Sequence, residues 1–312
     1  MSQAGFEHRP VMLAEVVAAL DGAPGGVLLD ATVGGGGHAR ALLEAHPQLR
    51  LVGVDRDEDA VAAAAANLAD LGERVVLRRA RFDRLGEVLD DLGIEQLAAA
   101  LFDLGVSSPQ FDRPDRGFSY RHDAPLDMRM DRGEVRTAAD IVNTYGEREL
   151  ARLFVQNGEG RFARRIARAI VADRPIATTG RLAEVVRDAI PAPARRSGGH
   201  PAKRVFQALR IEVNSELEVL PTALEAAIDR LAPGGRLVVL AYHSGEDRIV
   251  KERFLLAESG GCTCPPGLPC GCGATPLGRR LHRGSRQAGA AEVAENPRAG
   301  SARLRVLEKL AP

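Results

Sequence analysis

Short apolar runs alternate with helix-like stretches over the first third of the chain. The predicted strands cover residues 27–32, 51–54, 75–77 and 98–102, and the predicted helices cover 38–45 and 59–71. Alternating strands and helices build parallel sheets with right-handed crossovers, whose ligands bind beyond the carboxyl ends of the strands. The pattern therefore predicts an α/β fold with a doubly wound, Rossmann-like sheet. Asp30, Asp55 and Asp103 end three of these strands, where such a ligand would lie.

The next strand comes much later in the chain. Residues 216–231 predict a long amphipathic helix, and residues 236–242 (RLVVLAY) predict a buried strand. A crossover between neighbouring strands takes about 30 to 40 residues around its helix, whereas Asp103 and Leu237 are 134 positions apart. The residues beyond those that one crossover needs predict a second, mostly helical domain inserted into the sheet domain. The predicted bounds are 1–113 and 209–312 for the two parts of the sheet domain, and 114–208 for the inserted domain.

Composition excludes several classes of protein. Of the 312 residues, 45% are hydrophobic and 27% are charged, unlike a disordered or collagen-like chain. Lys+Arg and Asp+Glu both count 42, so a nucleic-acid surface must be a local patch. No apolar run approaches the roughly 18 residues of a membrane span, and residues 1–10 lack the pattern of a secretion signal. We expect a cytoplasmic protein without membrane contact, and no feature favours one oligomeric state.

A run of four glycines begins at Gly34, directly after the first predicted strand. One interpretation is an ordinary tight turn. A second is a nicotinamide dinucleotide site, because residues 34–39 match G-x-G-x-x-A and Asp55 follows about 20 residues on. A third is a site for S-adenosylmethionine. Asp30 favours this third interpretation, because its carboxylate would repel a pyrophosphate and attract the ammonium group of the methyl donor. Asp55 would then bond the ribose, although it could equally cap the following helix.

The segment DLGVSSPQ, from Asp103 to Gln110, follows the fourth predicted strand. Methyltransferases that act on amino groups carry a short polar motif with proline at this place. An exocyclic base amine is a poor nucleophile because its lone pair is delocalised into the ring. Acceptors that hold its N–H and align the nitrogen therefore supply most of the catalysis. Asp103, Ser107 and Ser108 are candidate acceptors, and ordinary turn chemistry is the alternative for the serines.

Arginines and aromatic residues form candidate RNA-binding surfaces within the inserted domain and in the segment that leads into it. Helical spacing places four arginines on one face, Arg161, Arg164, Arg165 and Arg168. Further candidates are Lys203, Arg204 and Arg210, and a mixed segment with Phe111, Arg113, Arg116, Phe118, Tyr120 and Arg121. Aromatic rings can stack an unpaired base while arginines hold phosphates. The alternative is a small core with solvated charges.

The C-terminal part of the chain is irregular until its last strand. Residues 265–286 are rich in Gly, Pro and Arg, which predicts a loop or a disordered segment, and residues 301–310 predict a closing strand. The four cysteines are Cys262, Cys264, Cys270 and Cys272. Four thiolates can bind a structural zinc ion, although the usual spacing is C-x₂-C rather than C-x-C. Reduced thiols and redox pairing are the alternatives.

Many ordered motifs give the chain a resemblance to one family, over almost its whole length. They are HRPVM at residue 8, GGGGH at 34, GVDRD at 53, DLGVSSPQFD at 103, RGFSY at 116, PLDMRM at 125, YGE at 145, GRFARRIARAI at 160, HPAKRVFQALRIEVNSEL at 200, APGGRL at 232, YHSGEDR at 242 and ENPRAGSARLR at 295. The chain resembles the RsmH (MraW) family of bacterial small-subunit ribosomal RNA cytosine-N4 methyltransferases.

The resemblance implies a class I methyltransferase domain with an inserted helical domain, S-adenosylmethionine as donor, and a cytidine in the decoding region of assembled or nearly assembled small-subunit RNA as substrate. It implies that Gly36, Gly37 and His38 contact the donor, that Asp55 binds its ribose, that Phe82 lies near the adenine, and that Asp103 and Gln110 complete the pocket. One motif departs from the family, since Gly245 stands where leucine is usual. His243, two residues earlier, is a candidate for the target-base pocket, and a structural histidine is the alternative.

Three functions remain to be separated at this point. A methyltransferase acting on ribosomal RNA agrees best with Asp30 and with the motifs. A nucleotide-dependent oxidoreductase would use the same glycine turn, but no recognisable hydride-transfer group accompanies it. A non-catalytic RNA-binding assembly factor would keep the fold and bind the donor without methylating RNA.

Overall fold

The computed structural model describes residues 10–107, 110–111, 113–195, 200–265 and 271–311. Two compact units make up the chain. The first consists of Met1–Gly105 and Leu217–Pro312, and the second consists of Val106–Glu216. The second unit therefore starts earlier and ends later than the predicted insertion at 114–208.

The first unit contains a seven-stranded sheet. Its strands are β1 (Gly26–Asp30), β2 (Leu49–Asp55), β3 (Val75–Arg79), β4 (Leu97–Asp103), β5 (Leu231–Ala241), β6 (Gly278–Arg280) and β7 (Arg303–Lys309), in the spatial order β3-β2-β1-β4-β5-β7-β6. The first five strands in this order are parallel, and β7 and β6 are antiparallel additions. The predicted α/β fold with a Rossmann-like sheet is confirmed.

Apolar layers cover both faces of this sheet. Neighbouring residues of one strand enter different layers, as Leu28 and Leu29 of β1 do, because successive side chains of a strand point to opposite faces. Residues 97–102 of β4 are all buried, as expected for a central parallel strand covered on two sides. The helices of this unit are α1 (Leu13–Ala19), α2 (Gly37–Ala45), α3 (Glu58–Asn67), α4 (Leu85–Asp91), and, after the second unit, α11 (Glu216–Arg230), α12 (Ser244–Ser259) and α13 (Ala290–Glu295).

The second unit is helical around its own core. Its helices are α5 (Ala138–Thr144), α6 (Glu147–Gln156), α7 (Ala163–Ala172), α8 (Thr179–Ala189), α9 (Ala192–Arg195) and α10 (Lys203–Asn214). Helix α7 buries Ile166 and Ile170 in this core, while Arg164, Arg165 and Arg168 are exposed. The amphipathic pattern predicted for this helix is confirmed.

Two local predictions were wrong in part. The stretch predicted as a loop, residues 265–286, contains the edge strand β6, which pairs with β7. Its three residues are too few, and too rich in arginine, to give a strand pattern. The helix predicted over 59–71 ends at Asn67 and continues as 3₁₀ turns, which Gly72 interrupts with a φ of 55°.

No helix in the described residues is long and apolar enough to cross a membrane.

Candidate functional site

Three aspartates end three adjacent parallel strands of the sheet. Asp30 ends β1, Asp55 ends β2 and Asp103 ends β4, and these strands lie side by side in the order β2-β1-β4. Because parallel strands present their carboxyl ends at one edge, the three carboxylates converge there. This edge is therefore acidic, and it favours a cationic ligand.

Asp30 is the most buried of the three aspartates, with 1% of its surface exposed. Its Oδ1 accepts a hydrogen bond from the backbone N–H of Thr32 at 3.1 Å. Burial, with the charges of Asp103 and Asp55, raises the pKa of this carboxyl from 3.8 to about 8. Within the described part of the chain, no basic side chain pairs with Asp30. A bound cation would stabilise its ionised form.

The turn after β1 adopts conformations that suit glycine. Gly34 has a φ of 51° and Gly36 a φ of 79°, both in the left-handed region. A β-carbon on Gly35 would meet no atom within 4 Å, so the backbone faces open space there. Helix α2 begins at Gly37. An open glycine turn in front of a helix N-terminus allows a ligand to approach the backbone closely.

Asp55 stabilises this turn. Its Oδ2 accepts the N–H of Gly34 at 3.0 Å, and its Oδ1 accepts the N–H of Asp57 at 2.9 Å. Burial raises the pKa of Asp55 to about 6, against the lowering effect of these two hydrogen bonds. The residue that caps α3 is Asp57, which accepts the N–H of Asp59 at 3.1 Å. The interpretation of Asp55 as a helix cap is therefore wrong.

Asp103 contacts two aromatic side chains. The phenol of Tyr242 donates a hydrogen bond to its Oδ1 at 2.6 Å, and Nδ1 of His38 lies 3.5 Å from its Oδ2. The other ring nitrogen of His38, Nε2, lies 2.9 Å from the carbonyl oxygen of Val11. Burial and the Asp103 charge raise the pKa of Tyr242, so its phenol stays protonated and donates. Tyr242 was not among the predicted site residues, although it ends the predicted strand over residues 236–242 at this edge of the sheet.

Phe82 begins a short 3₁₀ turn after β3. Its ring packs edge to face against Phe102 of β4, with centroids 6.1 Å apart and planes at 66°. Phe82 is partly buried, so part of its ring surface is available to a planar ligand at the same edge.

His243 caps helix α12. Its Nδ1 accepts hydrogen bonds from the N–H groups of Gly245 at 3.2 Å and Glu246 at 3.4 Å. Its Nε2 lies 3.1 Å from Oε1 of Glu246 but outside hydrogen-bond geometry. A β-carbon on Gly245 would come within 3.1 Å of His243 Nδ1, so glycine leaves room for the imidazole in this turn. These contacts are those of a structural helix cap.

Ser107 and Gln110 lie at the start of the second unit. Gln110 is 3% exposed, and its Oε1 accepts the N–H of Ser107 at 3.1 Å. The Ser107 hydroxyl is buried and forms no hydrogen bond with any described residue. A buried hydroxyl without a hydrogen-bond partner is unfavourable, so this position favours a polar ligand. Ser108 lies outside the described residues.

Two arginines expected at RNA-binding surfaces are held inside the protein instead. Arg116 is 2% exposed, and its guanidinium donates to two backbone carbonyl oxygens at 3.0 Å. Arg210 forms a bidentate ion pair with Glu216 at 2.8 Å. Both predictions were wrong, because sequence spacing does not distinguish a solvated arginine from a paired one.

The aromatic segment of the second unit is mostly packed inward. Phe118 is 6% exposed and belongs to the core. The ring of Tyr120 stacks on His200 with centroids 4.3 Å apart, and meets Phe206 edge to face at 5.5 Å. The alternative of a small core is therefore correct for Phe118.

The arginine face of the second unit is defined by Arg161, Arg164, Arg165 and Arg168, all of them exposed. Arg168 lies 3.6 Å from a carboxylate oxygen of Glu147. Arg161 lies over the ring of Phe162 at 5.0 Å. Within the described part of the chain, Arg164 and Arg165 have no carboxylate partner. The face therefore carries uncompensated positive charge.

Comparison with known proteins points to one family. A family model described as the MraW methylase family matches residues 5–310. Ribosomal RNA small subunit methyltransferase H of Thermobifida fusca (strain YX) is 57% identical over 309 residues, covering 97% of this chain and 93% of that protein. The protein of the same name from Symbiobacterium thermophilum is 52% identical over 310 residues, covering 98% and 97%.

Proposed function

Because the chain belongs to the MraW methylase family, we propose that it transfers a methyl group from S-adenosylmethionine to N4 of one cytidine in small-subunit ribosomal RNA. The proposed cytidine lies in the decoding region of an assembled or nearly assembled subunit, in the cytoplasm. The names of its relatives support the choice of RNA. The observation that carries the choice of donor is the buried carboxylate of Asp30 beside an open glycine turn.

The residues at the sheet edge fit this donor chemically. The proposed donor-binding residues are Asp30, Gly34, Gly36, Gly37, His38, Asp55, Phe82, Asp103 and Gln110. Asp30 would accept the ammonium group, since it is the buried carboxylate for which the described residues supply no cation. Asp55 would accept ribose hydroxyls, and the ring of Phe82 would pack near the adenine. When bound, the donor supplies an electrophilic methyl group on a sulfonium.

The proposed acceptors for the target amine are Asp103, Ser107 and Ser108, with His243 as a further candidate in the base pocket. An acceptor that binds one N–H of the amine fixes the direction of the nitrogen lone pair. A carboxylate also stabilises the positive charge that develops on the nitrogen as the new bond forms. Asp103 can do both, because the hydrogen bond from the phenol of Tyr242 holds its side chain at the strand end. Solvent can take the proton after transfer.

The acidic sheet edge also argues against the dinucleotide alternative. A nicotinamide dinucleotide would bring its pyrophosphate to the glycine turn, beside Asp30 and Asp55. Asp55, whose pKa is about 6, is ionised near neutral pH and would repel that group. Asp30, whose pKa is already about 8, would be kept neutral by the added negative charge and would offer the pyrophosphate no charge attraction. Calorimetry with each compound should therefore give saturation by S-adenosylmethionine and no measurable heat from nicotinamide dinucleotides.

One assay tests the proposed reaction directly. The purified protein is incubated with methyl-labelled donor and, separately, with small ribosomal subunits, free ribosomal RNA and DNA. We expect label in small-subunit RNA, and nuclease digestion should place it on N4 of a cytidine. Label on another base would contradict the proposed target. Donor binding with no label in any substrate would instead support a non-catalytic assembly factor.

The arginine face is proposed to hold phosphates of the RNA. Replacing Arg161 and Arg165 together by Glu should weaken RNA binding by roughly tenfold or more and lower the salt dependence of binding, because phosphate contacts release counterions. Donor affinity should stay unchanged. Filter binding at several salt concentrations measures the first effect, and calorimetry measures the second.

A charge-matched control is available in the same unit. Arg181 and Arg187 are about half exposed, and each already pairs with a neighbouring aspartate, Asp173 or Asp188. Replacing both by Glu changes the net charge by the same amount. We expect little effect on RNA binding, since their charges are already compensated. Equal losses in the two double variants would show a general charge effect and contradict the proposed face.

A further inference from the structure

Three cysteine sulfurs meet in the loop between α12 and β6. The structure describes Cys262, Cys264 and Cys272, and their Sγ atoms all lie within 4.8 Å of one another. Cys270 lies outside the described residues. A disulfide would use only two of these sulfurs, at about 2.05 Å. Three sulfurs gathered at one point match a metal ion better than a redox pair.

The spacing of the sulfurs suits one ion. Zinc binds thiolate sulfur at about 2.3 Å in a tetrahedron, which places two ligand sulfurs about 3.8 Å apart. Sulfurs that all lie within 4.8 Å of one another can reach this geometry by small side-chain movements. The backbone amides of Gly271 and Cys272 also form hydrogen bonds to the Cys264 side chain. Such donors stabilise the negative charge of a metal-bound thiolate.

The chain closes this loop at its base. Helix α12 ends at Ser259, and Gly260 and Gly261 follow with φ angles of 60° and 76°. A β-carbon on Gly260 would collide with the backbone of Thr275, so the returning chain passes directly against this glycine. The N–H of Leu277 then bonds to the carbonyl oxygen of Ala257 at 2.8 Å. The cysteines therefore lie in a short loop whose two ends are already held together.

The described part of this loop has no apolar core of its own. Among the described residues from 258 to 277, none is buried. A segment without buried apolar surface gains little from packing, and small folds of this kind depend on disulfides or metal ions instead. A metal ion shared by the three sulfurs would supply the missing stabilisation.

We propose that Cys262, Cys264 and Cys272 bind a structural Zn²⁺ ion through three thiolates. Each thiol gives up its proton to solvent on binding, and a fourth donor outside these three completes the tetrahedron. The ion closes the loop between α12 and the edge strand β6. This site is separate from the proposed methyl transfer and does not depend on it.

The test uses the full-length protein, purified under argon without reductant or chelator and then dialysed. Mass spectrometry of metals should find about one zinc per chain. Replacing zinc by Co²⁺ should produce the intense sulfur-to-cobalt charge-transfer absorption of a tetrahedral thiolate site. Cys264→Ser and Cys272→Ser should each lower the bound metal at least about tenfold. Thr263→Ala is the matched control, since this exposed residue lies between two of the ligands, and it should keep its metal.

Thiol titration in denaturant, without reductant, separates the alternatives. Zinc-bound protein should yield all of its cysteines as thiols once the metal is chelated. Missing thiols would show a disulfide and overturn the proposal. A full complement of thiols with neither zinc nor cobalt absorption would overturn it in favour of metal-free cysteines. Because the cobalt spectrum is recorded on the unchanged protein, the result does not depend on whether the serine variants fold.

Discussion

Replacing Asp30 by Asn is expected to weaken S-adenosylmethionine binding by about 100-fold, while making the ligand-free protein more stable at alkaline pH. The loss of affinity follows from the proposed contact with the ammonium group. A hydrogen bond to a charged partner contributes about 1.5 to 3 kcal/mol, and each 1.4 kcal/mol corresponds to about tenfold in affinity. Asparagine can keep the hydrogen bond from Thr32, so the strand end should remain folded.

The gain in stability follows from the raised pKa of Asp30. A carboxyl whose pKa rises on folding, here from 3.8 to about 8, binds its proton more tightly in the folded state. Its contribution to the free energy of unfolding is therefore lost as pH rises from about 4 to about 8. The amide that replaces this carboxyl in the variant has no proton to lose. The variant should match the natural chain near pH 4 and exceed its Tm by roughly 5 °C or more at pH 9.

Both effects are measurable on one pair of proteins. Calorimetry gives the donor affinity, and thermal unfolding of ligand-free protein from pH 4 to 9 gives the stability difference. Asp57→Asn is the matched control, because Asp57 is also buried and also accepts one nearby backbone N–H. We expect it to keep donor affinity. Unchanged donor binding in Asp30→Asn would contradict the proposed donor site.

The sheet and its acidic edge could be predicted because they follow from local pattern. Buried parallel strands are continuous apolar runs, and an aspartate that ends such a run must lie at the carboxyl edge. Asp30, Asp55 and Asp103 could therefore be placed at one edge of the sheet from sequence. Their being neighbours along that edge follows from the spatial order β2-β1-β4, which depends on long-range pairing and could not be predicted.

What could not be predicted depends on which side chains meet across the fold. The bond from Tyr242 to Asp103 joins residues 139 positions apart, and no local pattern encodes it. Arg116 and Arg164 look alike in the sequence, yet one is buried against carbonyl oxygens and the other is exposed. Strand β6 was not predicted, because an edge strand of three residues forms only by pairing with β7.

The second large expected effect is a loss of catalytic rate when Asp103 is replaced by Asn. Asp103→Asn should lower kcat by about 10² to 10³, while donor affinity changes by less than about tenfold. Asparagine keeps an acceptor for the phenol of Tyr242 but removes the negative charge. The positive charge that develops on the target nitrogen then loses its stabilising anion, which slows transfer without a comparable loss of donor binding.

Tyr242→Phe separates positioning from chemistry at Asp103. It removes the 2.6 Å hydrogen bond to Oδ1 but keeps the charge, the ring and the contact of Oδ2 with His38. We therefore expect a loss in kcat of no more than about tenfold, the effect of one neutral hydrogen bond. Single-turnover methylation and donor calorimetry on both variants provide the comparison. If Asp103→Asn lost donor affinity as strongly as kcat, Asp103 would act only through the donor, and the target amine would have to be oriented by other acceptors such as Ser107.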